Sequence, residues 1–213
     1  MILSKKQTTL LLLGALTLFF IGMVSASAAP VTFKADTSGK FGAGSTGGSV
    51  SNDGSVLTIG GTSITFSSKP SELNVSLNPG ESSNVTLGIF NATSTGLTSV
   101  SGATFTLSVT FTLPGDVSPK PATYNATLTG TISAGASGAS VVWSTTTLAF
   151  NSATGGPFTL TLEPSTPINA PSSPDASRIR GTITSAVPEP LTLLTLGSGL
   201  AGLAALAKRR KKD

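Results

Sequence analysis

Apolar and polar residues alternate along much of the chain. The clearest example is residues 105–113, where Phe, Leu, Val, Phe and Leu occupy every second position and Thr or Ser fills the positions between. A period of two places the apolar side chains on one face of a β-strand and the hydroxyls on the other, whereas a helix would spread them around its circumference. We therefore predict a half-buried strand here.

Seven further segments carry similar runs and are predicted as strands: 57–66, 73–77, 85–90, 124–132, 141–150, 158–162 and 179–184. Turn sequences such as Asn52-Asp53-Gly54 and Asn78-Pro79-Gly80 lie between them. Many short strands without a long amphipathic helix predict an all-β, antiparallel β-sandwich, and jelly-roll and immunoglobulin-like topologies both stay open. Residues 165–175, with three prolines, are predicted as a long loop before the last strand, with a linker as the alternative.

The first 28 residues have the pattern of a secretory signal peptide. Lys5 and Lys6 precede an apolar stretch at 10–24, which is short for a membrane span, and Ala26-Ser27-Ala28 forms a small-x-small cleavage site. We expect recognition by the secretion translocon and cleavage by signal peptidase after Ala28. The alternative is an uncleaved signal helix that stays in the membrane.

The last 27 residues combine an apolar run with a basic tail. The run, 191–207, would span ~25 Å as a helix, the low end for crossing a bilayer. The positive-inside rule keeps the tail on the cytoplasmic side. The tail residues are Lys208, Arg209, Arg210, Lys211 and Lys212. We therefore expect a domain at 29–186 outside the membrane, between the signal helix and a C-terminal transmembrane helix.

A short motif, Val187-Pro188-Glu189-Pro190, precedes the apolar run. Proline fixes φ and disfavours helix in the residue before it, so the motif is expected to be an extended strip just outside the bilayer, accessible to a membrane protease. Equally, Pro190 suits the first position of the helix and Glu189 complements its positive end. Physical reasoning alone leaves both interpretations open.

The motif, the span with Gly197, Gly199 and Gly202, and the basic tail together closely resemble the PEP-CTERM sorting signal of bacteria that make exopolysaccharide. The resemblance covers residues 187–213. It implies that the tail is the substrate of an exosortase, a membrane protease that removes the anchor during delivery to the cell surface or matrix. Val187, Pro188, Glu189 and Pro190 would then form the sorting and processing site, which is acted upon and not catalytic.

The N-terminal part of the central domain, from Val31-Thr32-Phe33 through Phe41-Gly42 and on to the strands after Gly60, is similar to the exported β-domains called choice-of-anchor, the K type among them. The resemblance lies in the spacing of aromatic, Gly and Ser/Thr residues. It implies a surface domain whose biochemical role is unassigned in that family as well.

Charge and composition narrow the classes of function. The whole chain carries a net charge of +4, but residues 29–186 hold six basic and seven acidic residues, so the basic excess belongs to the two ends and does not indicate a nucleic-acid partner. The domain is large enough for one core. The chain has no cysteine, so its stability does not depend on disulfides.

The chain also lacks histidine. A Ser-His-Asp triad, a thiol nucleophile and a His or Cys zinc site are therefore excluded, and we expect no enzyme activity, no cofactor and no metal. Two exceptions remain open. A glycosidase needs only two carboxylates across a cleft, and loop carboxylates such as Asp36 and Asp53 could converge on calcium.

Carbohydrate binding would use an exposed aromatic ring with a polar handle, and Trp143 and Tyr124 are the candidates. Both are in phase with apolar neighbours, which favours core packing. Four Asn-x-Ser/Thr sequences begin at Asn74, Asn84, Asn91 and Asn125, and hydroxyl-rich strand faces favour a solvated surface.

These observations predict an exported, exosortase-processed, non-enzymatic component of the cell surface or extracellular matrix, with a structural or interaction role. The alternative is a carbohydrate-binding or adhesive module of the exopolysaccharide matrix. A third possibility is a glycosidase that depends on carboxylates.

Overall fold

The computed structural model describes residues 29–44, 47–69 and 72–186. These residues form thirteen strands in two antiparallel sheets that pack face to face, which confirms the all-β class and the sandwich. The strands are β1 Val31–Gly42, β2 Ser49–Val50, β3 Val56–Ile59, β4 Thr62–Ser68, β5 Asn74–Leu77, β6 Ser82–Ser94, β7 Thr98–Leu113, β8 Ala122–Ile132, β9 Ala139–Trp143, β10 Thr147–Phe150, β11 Phe158–Leu162, β12 Ser165–Ile168 and β13 Ser177–Ser185.

The two sheets draw strands from all parts of the chain. The six-stranded sheet has the order β12-β9-β8-β7-β1-β5, and the seven-stranded sheet has the order β10-β11-β13-β6-β4-β3-β2. The longest ladders join β7 to β8 and β1 to β7 in the first sheet, and β6 to β13 in the second. The last described strand, β13, is therefore an interior strand of its sheet.

The inward-facing positions build one aromatic core between the sheets. Phe105 is fully buried, and its ring centroid lies 4.9 Å from that of Phe41, 4.9 Å from that of Phe90 and 6.1 Å from that of Trp143. Edge-to-face pairs of this kind add to the gain from apolar burial. At Gly39 any Cβ would collide with the rings around it, so glycine makes this packing possible.

Three predicted boundaries were wrong. Residues 57–66, predicted as one strand, form the hairpin β3–β4, because the chain reverses at Gly60 and Gly61. Residues 141–150, predicted as one strand, form two strands in different sheets. The backbone N–H and the hydroxyl of Ser144 both donate to the backbone carbonyl of Asn125, and after this point the chain crosses to the other sheet. Residues 165–168, predicted as loop, form the edge strand β12, where Pro167 sits opposite Ser140. An edge is where a sheet tolerates a residue without an N–H.

Strand β1 was not among the strands predicted from periodicity. Its inward positions alternate strictly, but only Phe33 and Phe41 are large, while Ala35, Thr37 and Gly39 between them are small or polar. The hydroxyl of Thr37 donates to the Leu87 carbonyl at 2.7 Å, so a polar residue is satisfied inside the core.

Candidate functional site

The predicted sorting and processing residues lie outside the described residues. They are Ala26, Ala28, Val187, Pro188, Glu189, Pro190, Lys208, Arg209, Arg210, Lys211 and Lys212. In the part of the chain that is described, no helix has the length and apolar character needed to cross a membrane.

The chain next to the motif is held firmly. The Ser185 N–H donates to the Glu81 carbonyl at 2.9 Å, and the Gly80 N–H donates to the Ser185 carbonyl at 3.0 Å. From the other side, the Ala186 N–H donates to the Pro157 carbonyl at 3.0 Å. The fold therefore extends to the residue that directly precedes Val187.

Both ends of the described domain lie at one pole of the sandwich. Val31, at the start of β1, pairs with Leu77, whereas Thr184, near the end of β13, pairs with Ser82. Only residues 78–81 separate Leu77 from Ser82, so the two ends are close. We call residues 29–31, 78–81 and 186 the terminal pole.

Trp143 and Tyr124, the candidate ligand contacts, are both buried in the core. The Tyr124 hydroxyl donates to the Leu160 carbonyl at 2.8 Å, and the Trp143 indole N–H donates to the Thr166 hydroxyl at 3.3 Å. Burial raises the pKa of Tyr124. Neither ring is exposed to a ligand in this structure, so the interpretation as core residues is favoured.

Asp53 closes the turn between β2 and β3. Its carboxylate accepts hydrogen bonds from the hydroxyls of Ser51 and Ser55 at 2.6 and 2.7 Å, and from the Ser55 N–H at 3.1 Å. Hydrogen bonds from Ser51 and Ser55 lower the pKa of Asp53 to about 2. Asp53 is therefore an ionised turn residue.

Asp116 ties two loops together in the same way. It accepts hydrogen bonds from the hydroxyls of Ser152 and Thr154 at 2.7 and 2.9 Å, and from the Thr154 N–H at 3.0 Å. The hydroxyls of Ser152 and Thr154 lower the pKa of Asp116 to about 2. Carboxylates held ionised in this way are unsuited to act as general acids near neutral pH.

A groove of about 530 Å³ lies between β12 and β13 and carries both signs of charge. Glu163, Asp175, Arg178 and Arg180 all border it. Within the described residues, neither the Glu163 nor the Asp175 carboxylate accepts a hydrogen bond, and Arg178 pairs with Glu72 at 2.9 Å outside the groove lining. Nothing holds the two carboxylates in the fixed geometry that glycoside hydrolysis requires. The described residues contain no group of three or more acidic side chains that could hold a metal ion.

A second groove, of about 320 Å³, lies on the outer face of the six-stranded sheet. Its polar lining consists of Thr104 and Thr106 on β7, Asn125 and Thr127 on β8, and Ser144 just after β9. We call this set the hydroxyl groove. The alternation of apolar and hydroxyl residues predicted that these side chains face outward on a solvated surface, but it did not predict that they line a groove. The signal that was missed is the absence of any charged residue on β7, β8 and β9.

Comparisons of the chain with models of protein families, with curated proteins and with solved structures found no match.

Proposed function

We propose that this chain is an exported, non-enzymatic component of the cell surface or extracellular matrix, sorted by removal of a C-terminal anchor. The translocon exports it, signal peptidase removes residues 1–28, and a helix at 191–207 holds it transiently in the inner membrane. An exosortase-like protease then acts at the motif Val187-Pro188-Glu189-Pro190. In this proposal the sandwich, of jelly-roll or immunoglobulin-like type, lies between a signal helix and a transmembrane helix.

The observation that carries the proposal is the position at which the fold ends. Ala186 is hydrogen-bonded to Pro157, and the motif begins at the next residue. A protease acting at the motif would therefore meet it directly beside a finished domain, without having to unfold β13. Because the apolar run and the basic tail follow the motif, cleavage at the motif would separate both of them from the domain.

The terminal pole supports the same proposal. A leader removed from one end and an anchor removed from the other would both leave from this pole, so the two cleavages would spare every strand of the core. The rest of the sandwich would then face away from the membrane surface.

A non-enzymatic role is supported by the chemistry of the side chains. The sequence lacks histidine and cysteine, and Asp53 and Asp116 are engaged in closing turns and joining loops. The near-neutral charge of residues 29–186 suits a component that has no charged polymer as its partner.

The test is the mass of the protein recovered from cells and from the culture medium, for the wild type, Glu189→Ala and Glu163→Ala. Glu163 is an exposed glutamate on the domain and serves as the matched control. We expect the wild type and Glu163→Ala to lack residues 1–28 and the segment beyond the motif, while Glu189→Ala keeps its tail. If residues 208–213 persist in every wild-type fraction, the tail is an ordinary anchor and the proposal is overturned.

A further inference from the structure

The hydroxyl groove is a polar depression of the described surface with no charged residue in its lining, and the sorting proposal does not use it. Its base is formed by Phe105 and Ala126, whose side chains point into the core. Thr104 and Thr127 sit directly opposite each other on neighbouring strands. We propose that this groove binds a neutral glycan chain.

The groove contains hydroxyl and amide groups that no protein partner occupies within the described chain. Within the described chain the hydroxyls of Thr104 and Thr127 have no protein partner, and Asn125 uses only its side-chain oxygen, which accepts from Thr106 at 3.1 Å. Both amide N–H groups of Asn125 therefore remain available as donors. Hydroxyls that both donate and accept, beside an amide donor, match the alternating donors and acceptors of a sugar.

The residues of the groove are held in fixed positions. The backbone carbonyl of Asn125 accepts hydrogen bonds from the backbone N–H of Ser144 at 2.9 Å and from the Ser144 hydroxyl at 2.8 Å. These bonds fix the chain after β9 against β8. Thr104, Thr106 and Thr127 lie on paired strands and are stiff at χ1 because they are β-branched. A site that is already ordered loses little entropy when it binds a ligand.

The lining of the groove carries no charged side chain. Strands β7, β8 and β9 contain no acidic or basic residue, and Lys40 on β1, which sits opposite Thr106, packs the first part of its side chain against Gly54 and is not part of the groove lining. The lining itself therefore offers no counter-charge to a phosphate, a carboxylate or an ammonium group. A neutral polyhydroxyl ligand needs no counter-charge, so it is the ligand class that this lining suits.

An exposed apolar side chain lies beside the groove. Val142 pairs with Thr127 and is 44 % exposed, which places an apolar side chain next to the hydroxyls. A sugar ring presents C–H groups on its faces and hydroxyls at its edge, so a mixed surface of this kind can contact both. Because the groove is open to solvent across several strands, it fits a chain better than an enclosed small molecule.

This inference does not depend on removal of the anchor, so the test uses the full-length chain in detergent micelles. Calorimetric titration would use dextran, amylose and hydroxyethylcellulose as neutral polymers and alginate as the anionic control. Thr104→Val with Thr127→Val removes two hydroxyls and keeps the side-chain shape, and Asn125→Asp places a charge in the groove as a second, independent variant. Thr159→Val with Thr161→Val, on the outer face of the other sheet, is the matched control.

We expect at least one neutral polymer to bind, both groove variants to weaken binding by about tenfold or more, and the control pair to leave it unchanged. The thermal midpoint of each variant shows whether it is folded. Binding of alginate alone, binding of no neutral polymer, or equal loss in the control pair would overturn the proposal. The mass is measured first, since Asn125 begins an Asn-x-Thr sequence, and a glycan attached there would also overturn it by occupying the groove.

Discussion

The two outer faces of the sandwich are both rich in hydroxyls, but a pair of facing threonines on each face uses them differently. On the seven-stranded sheet, Thr147 and Thr161 sit opposite each other and are hydrogen-bonded at 3.1 Å. On the six-stranded sheet, Thr104 and Thr127 also sit opposite each other, and within the described chain neither hydroxyl has a protein partner. Hydroxyls paired across strands stabilise the sheet, whereas open hydroxyls leave their capacity for a ligand.

The comparison extends to neighbouring rows. On the seven-stranded sheet the Thr182 hydroxyl donates to the Asn84 side-chain oxygen at 3.0 Å, and Ser82 and Thr184 are joined at 2.8 Å. That face also carries Arg178 and Arg180, whereas on the six-stranded sheet the charged residues Lys34, Asp36 and Lys40 lie on β1 and none lies on β7, β8 or β9. Ser and Thr hydroxyls are therefore bonded across strands between β6, β10, β11 and β13, whereas the facing Thr104 and Thr127 of the hydroxyl groove stay open.

The largest expected effect comes from the core that supports both faces. Phe105→Ala removes a fully buried ring beneath the hydroxyl groove and should lower the free energy of unfolding by about 3–5 kcal/mol. Denaturant titration measures the change, with Leu97→Ala as the control because Leu97 is 80 % exposed. A loss below ~1 kcal/mol for Phe105→Ala would mean that the groove does not rest on a packed core.

The next effect concerns the link between the two faces. Tyr124, on the six-stranded sheet, donates its hydroxyl to the Leu160 carbonyl on the seven-stranded sheet. Tyr124→Phe keeps the ring and removes the donor, so the free energy of unfolding should fall by about 1–3 kcal/mol. An unchanged denaturation midpoint would contradict the described hydrogen bond.

A smaller effect separates the two faces directly. Thr161→Val with Thr182→Val breaks two of the cross-strand bonds on the seven-stranded sheet and should cost about 1 kcal/mol. The equivalent groove pair, Thr104→Val with Thr127→Val, breaks no bond and should change stability by less than about 0.5 kcal/mol. Equal losses in the two pairs would remove the distinction between the faces.

The smallest expected effect is a dependence on pH. The pKa of Asp116 is about 2 in the folded chain, against an ordinary value of 3.8. A carboxylate whose pKa is depressed by folding adds stability above its unfolded pKa and loses it as pH falls, here between about pH 4 and 2. Thermal midpoints across this window should fall less steeply for Asp116→Asn than for the wild type. Parallel curves would show that the bonds to Ser152 and Thr154 do not contribute.

Sequence patterning predicted the fold well where the inward positions of a strand are apolar without interruption by polar residues. Strands β7 and β8 are of this kind. It failed at β1, where Thr37 and Gly39 face the core because particular partners accept them: the Leu87 carbonyl for the first and surrounding aromatic rings for the second. Such partners come from distant parts of the chain, so no local period reveals them.

The hydroxyl groove shows the same limit. Alternation predicts that Thr104 and Thr127 face outward, but whether two hydroxyls bond to each other depends on the register and side-chain rotamers of two strands. The break after Trp143, which places Ser144 against Asn125, was also missed. Residues 144–147 are Ser-Thr-Thr-Thr and interrupt the apolar alternation, but threonine is also common in strands, so the sequence does not mark the break clearly. The sorting motif differs, since its interpretation needs only sequence order.

The position of β13 also bears on mechanics. Its residues are hydrogen-bonded to β11 on one side and to β6 on the other, up to the end of the described chain. A pull on Ala186 along the strand would load both ladders in shear, so many bonds would share the force instead of opening one after another. A domain pulled through this end would therefore be expected to resist mechanical unfolding.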